Sequence, residues 1–102
     1  MTTRPVHSHT LRGKRYSIKW LAPSKMPGAG PYRQTVGQAD APDTPGKTIK
    51  FDKTLSGIEL LDTVIHESLH ACLFDLCEEA VTSTSWDIAR LLWRVGYRVE
   101  EE

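Results

Sequence analysis

Val64-Ile65-His66-Glu67-Ser68-Leu69-His70-Ala71 decides how this chain is read. It places H-E-x-x-H inside a run whose apolar residues follow helical spacing: Leu61, Val64, Ile65, Leu69, Cys72, Leu73 and Leu76. Residues four apart share one helix face, about 6 Å from each other. The imidazoles of His66 and His70 can therefore hold one metal ion. Glu67 stands one position on, within reach of a water on that metal. His66, Glu67 and His70 lie off the apolar stripe, so they are expected along one edge of the polar face.

The helix carries its own start signal. Ser56 and Glu59 have capping-box spacing, and Leu55 and Leu60 flank them as a hydrophobic staple. Asp75 and Glu78 repeat the box and predict a second helix from near Leu76. Ala80, Val81, Ile88, Ala89, Leu92 and Val95 form its apolar face, and Gly96 stands where a C′ glycine belongs. Thr82-Ser83-Thr84-Ser85 weakens the middle of that pattern. A start at Thr84 is the alternative, but the early start fits the whole apolar period.

Before the helices the period changes to two. Tyr16, Ile18 and Trp20 alternate with Ser17 and Lys19, and Gly13-Lys14 suits a tight turn, so residues 9–21 read as a hairpin. Lys47–Phe51 alternates again and predicts a strand ending at Asp52. Residues 22–46 hold most of the Pro and Gly and read as a long loop, with a short strand near Tyr32–Val36. Met1–Ser8 is polar and expected to be flexible. The expected fold is α+β: one domain over 1–102, a small antiparallel or mixed sheet followed by two packed helices, the first carrying the histidines.

Composition bounds the function. The 102 residues are 39% hydrophobic and 25% charged, ordinary for a globular domain. No run approaches the roughly eighteen apolar residues of a membrane span. The polar, basic Met1–Lys19 predicts no secretion signal. Two cysteines, Cys72 and Cys77, make no disulfide framework, and Cys72 is expected as a buried thiol; together these point to a reducing, cytoplasmic setting. The net charge is zero but segregated: residues 1–39 carry seven Lys and Arg and no acid, while all thirteen acids lie from Asp40 onward. A solvated basic surface is the plain reading. A patch for an acidic partner or nucleic acid is the sharper one.

A catalytic zinc takes three protein ligands. Asp75, Glu78, Glu79, Asp87, His7 and His9 can supply the third. Asp75 and Glu78 have capping roles and His7 and His9 read as surface residues, so Glu79 is the first choice and Glu78 the second. Asp62 and Asp87 are candidates to orient ligands. Tyr32, Arg33 and Tyr97 are candidates to stabilise an oxyanion.

His66-Glu67-Ser68-Leu69-His70 followed by Glu79-Ala80-Val81-Thr82-Ser83 resembles the gluzincin arrangement. Residues 47–98 resemble more closely the small zincin-like proteins encoded by bacteriophages, with Gly46-Lys47-Thr48-Ile49, Glu78-Glu79-Ala80-Val81 and Ile88–Arg98 carrying the likeness. Ser83 stands where gluzincins usually place an Asp. The resemblance implies a minimal zincin-like fold with zinc on His66, His70 and Glu79. It implies Glu67 as general base towards a zinc-bound water, and peptide or protein as substrate. It also implies that the strand at Lys47–Phe51 is an edge that pairs with extended peptide. The alternative is a zincin-like module without catalysis that binds a partner, associated with nucleic acid or phage components.

Overall fold

A computed structural model describes residues 6–28 and 35–98. Strands β1 (Ser8–Leu11) and β2 (Lys14–Leu21) form the expected hairpin. Its turn sits at Arg12-Gly13, one residue earlier than expected, with φ of 48° and 78°. Two successive positive φ values are what a type I′ two-residue hairpin turn requires, and Gly13 adopts its value without a Cβ penalty. Ile18 N–H donates to the His7 carbonyl at 2.8 Å, and Trp20 Nε1–H to the Val6 carbonyl at 2.9 Å, so Val6 and His7 are tied to the sheet.

After a 3-10 turn at Pro23–Lys25 come β3 (Gly37–Ala39) and β4 (Thr48–Asp52). The short strand thus begins one residue past the Tyr32–Val36 expectation, of which residues 32–34 lie outside the described residues. The sheet order is β1-β2-β4-β3; β2 and β4 run parallel and the other pairs antiparallel. This places β4 inside the sheet, so the expected edge role of Lys47–Phe51 is corrected. Both of its sides are paired, and β3 is the edge. Asp52 ends β4 by accepting from the Thr54 N–H at 2.8 Å.

Helix α1 (Gly57–Cys72) follows Ser56 at its N-cap, and α2 (Glu78–Val95) follows Cys77. Neither cap makes a side-chain hydrogen bond: the Ser56 box marks the start of α1 without closing, and α2 starts later than the Asp75 box and the expected start near Leu76. α2 runs unbroken through Thr82–Ser85, as its apolar period predicts, and ends at Gly96 with φ 109°. The α+β architecture is as expected: a mixed four-stranded sheet followed by two helices. The layers run sheet, α1, α2. The inward pleat of the sheet supplies Tyr16, Ile18, Ile49 and Phe51, which close on Ala71 of α1 with Val64 and Trp20 beside them. Cys72 is half-buried and Cys77 exposed, both as free thiols.

Candidate metal centre

The i, i+4 spacing on α1 does what the sequence implies. The Nε2 atoms of His66 and His70 lie 3.2 Å apart, with their rings edge to face. The five-residue turn Leu73–Cys77 reverses the chain and sets the first residue of α2 opposite them. That residue is Glu78. Its Oε1 is 3.0 Å from His66 Nε2 and its Oε2 is 2.9 Å from His70 Nε2. Among the described residues, His66, His70 and Glu78 form the one group of three donors close enough to share a metal ion.

Glu79, first choice from the sequence, is not in that group, and Glu78 takes its place. The reason is the helix start. The capping-box spacing of Asp75 and Glu78 would occupy Glu78 in closing the helix. The N-cap is Cys77 instead, and Glu78 opens the helix with its carboxylate free to reach across. Glu79 is exposed, about 100° further round the helix. His7 and His9 are exposed on and before β1, outside the group.

The donor set suits zinc. Two imidazole nitrogens and one carboxylate are the side chains of a three-ligand site that leaves a position open. Tetrahedral ligands about 2.1 Å from zinc stand about 3.4 Å apart, and the three contacts here, 2.9 to 3.2 Å, need only slight opening.

Glu67 was expected on the edge of the polar face and is instead buried, 6% exposed, in line with Thr63 and Ala71. It fits because of Gly37 on β3. A Cβ at Gly37 would lie 2.8 Å from Glu67 Oε2 and 2.8 Å from Thr63 Cγ2. Burial, with the nearby Glu78 charge adding to it, pushes the Glu67 pKa up from 4.5 to about 7.

Behind His66 stands Ser85, fully buried on α2. Its hydroxyl donates to Asp62 Oδ1 at 2.8 Å, and its oxygen lies 3.5 Å from His66 Nδ1. With a metal on Nε2, the Nδ1 proton of His66 would be accepted by the Ser85 oxygen, which fixes the ring. Asp62 therefore reaches His66 through a hydroxyl, a link that sequence reading missed. Ser85 lies seven residues after Glu78, hence on the same face of α2, and that was the available signal. Asp87 is exposed. Tyr32 and Arg33 lie outside the described residues. Tyr97 is 62% exposed at the far end of α2, about 28 Å of helix from Glu78, and does not serve the site.

No protein-family profile matches this sequence, and the searches of curated proteins and of solved structures likewise give no match.

Proposed function

We propose that this protein is a zinc-dependent peptidase of the minimal zincin-like kind. The observation that carries the reading is the adjacency of two unlike features. A His66–His70–Glu78 donor group opens to solvent, and a buried carboxylate with a pKa near 7 stands next to it in the chain. Zinc, when bound there, supplies Lewis acidity that acidifies water and polarises a carbonyl. His66, His70 and Glu78 would hold it. Glu67 takes a proton from the attacking water and returns it to the leaving amine, and a carboxyl that titrates near neutrality suits both steps. Ser85, held by Asp62, keeps the His66 ring in one orientation. Gly37 keeps its stretch of β3 slim enough for Glu67 to lie against it. The outer edge of β3 is the natural place for an extended peptide to add as a further strand.

Likeness to small phage-encoded zincin-like proteins, and a cytoplasmic setting, belong to the same proposal. An exposed thiol at Cys77 accords with a reducing compartment, and no helix among the described residues is long and apolar enough to cross a membrane. The second reading is a binding module in which the metal only joins the helices. It is favoured by the openness of the site, since the Glu78 side chain is 67% exposed.

Elemental analysis tests the metal. Wild type should carry about one equivalent of zinc and His66→Ala none. Glu78→Ala should lose it and Glu79→Ala keep it. Zinc-free protein that folds and ignores chelators would overturn the metal centre. Glu67→Gln should keep the zinc and lose peptide cleavage; unchanged biological function in that variant would favour the binding module.

A further inference from the structure

The outward face of the sheet has no part in the centre described above, and its chemistry is mostly hydroxyl and basic. Inward positions of β2 and β4 are the core residues Tyr16, Ile18, Ile49 and Phe51. Outward positions therefore carry Arg15, Ser17, Lys19 and, at the strand end, the half-buried Leu21 on β2, and Thr48 and Lys50 on β4. The register extends the row to Ser8 and Thr10 on β1 and Gln38 on β3. Arg15 lies along it, donating to Thr10 Oγ1 at 3.3 Å and to Ser8 Oγ at 2.7 Å. Both helices are on the other side of the sheet, and they and their connecting turn carry Glu59, Asp62, Glu67, Asp75, Glu78, Glu79 and Asp87. Most acids of the helical half thus lie away from the basic row, although Arg90 and Arg94 stand on α2 with them. Asp40 and Asp52 share the outward parity at strand ends, and each carboxylate accepts from a backbone N–H, of Thr48 and Thr54.

One pairing stands out. Lys19 and Lys50 are register partners on adjacent parallel strands. Strands lie about 4.8 Å apart, so the two lysines leave the same face from neighbouring positions. Like charges directly opposite each other destabilise a sheet. The core does not require lysine at either outward position. A local conflict of this kind marks a functional site more often than an oversight, and a bound polyanion removes it.

We propose that this face docks the sugar–phosphate backbone of double-stranded nucleic acid without reading its sequence. Lys, Arg and hydroxyl donors are the groups that contact phosphate and sugar. The row carries no aromatic side chain on which unpaired bases could stack, which separates a duplex from a single strand. Its one apolar side chain, the half-buried Leu21, stands at a strand end, and a single such residue is no wedge for a bilayer, which separates this face from a lipid surface.

The test is fluorescence anisotropy of the full chain with a short labelled duplex, with a single strand of equal length and anionic vesicles as alternatives. Three phosphate contacts, from Arg15, Lys19 and Lys50, give a salt slope of about −2.7, or about 40-fold weaker binding between about 50 and about 200 mM salt. Lys19→Gln/Lys50→Gln leaves one contact and cuts that loss to about 3- to 4-fold, with weaker binding at low salt. Arg90→Gln, on α2, binds as wild type. Without ligand at low salt, Lys50→Gln melts a few degrees higher because the repulsion is gone. Absence of duplex binding, equal binding by the double variant, preference for single strand or vesicles, or an unchanged melting temperature in Lys50→Gln each overturn the proposal. Glu67→Gln binds duplex as wild type does, so this result stands or falls apart from the peptidase reading.

Discussion

Gly37 on the edge strand and Glu67 on α1 are matched surfaces: the hydrogen in place of a side chain at Gly37 is the space that the Glu67 carboxylate fills. One carbon there meets the acid and Thr63 together, within 2.9 Å of three atoms. Gly37→Ala must shift the strand or the acid. Overpacking of this kind costs about 1–3 kcal/mol. The expected outcome is a lower melting temperature with a larger relative loss of peptide cleavage, and zinc content near that of wild type. Unchanged stability and cleavage would show that the two surfaces are not in contact.

The raised pKa of Glu67 makes stability depend on pH in metal-free protein. A folded-state pKa of about 7 against 4.5 unfolded means that the native state binds more protons between those values. Stability is then highest below about pH 4.5 as far as this group is concerned, falls as pH rises, and levels off above about 7. At about 1.4 kcal/mol per pH unit, the gap corresponds to about 3 kcal/mol as an upper bound. Glu67→Gln removes the dependence and melts higher than wild type at pH 8. Denaturant titrations in chelator across that range check it, and parallel wild-type and variant curves would refute it.

Ser85→Ala deletes the hydroxyl between Asp62 and His66 while leaving the ligands in place. Losing such a partner typically weakens metal binding about 10- to 100-fold. Competition with a chelator measures it, and NMR of the His66 ring reports which nitrogen carries the proton in each protein. Wild-type affinity together with an unaltered ring signal would leave Ser85 a packing residue only.

Arg12 combines two roles across 60 positions of sequence. It sits in the left-handed region at φ 48°, and its Nη1 donates to the Cys72 carbonyl at 2.8 Å, closing the C-terminal end of α1. Arg12→Ala keeps the strained backbone and loses the cap, so a loss of about 1 kcal/mol is expected. Arg12→Gly relieves the strain and should recover part of that. Chemical denaturation of the three proteins gives the order, and an Ala variant as stable as wild type would remove the capping role.

The periodic parts of the chain were readable because periodicity is a local property. Ile18 and Trp20, Ile49 and Phe51, and the stripe from Leu61 to Cys72 each report their element without knowledge of the rest. The histidine pair was readable for the same reason, since four residues on a helix fix its geometry. What the sequence concealed depended on relations between elements. Glu78 against Glu79 turns on a single residue at the start of α2, and capping spacing favoured the wrong use of Glu78. Glu67 could be buried only because Gly37, thirty positions earlier, leaves room. The place of β4 inside the sheet follows from a parallel pairing with β2 that no turn signal announces.

The turn Leu73–Cys77 works as a gauge. Its five residues determine which side chain of α2 arrives opposite the histidines, while Val81, Ser85 and Ala89 determine which face of α2 lies down on α1. Both settings must agree. Deleting one residue from the turn would deliver Glu79 where Glu78 now stands, but it would swing the buried face about 100° out of register. The two adjacent glutamates are therefore not interchangeable in place: the hydrophobic seating of the helix sets Glu78, not Glu79, opposite the histidines.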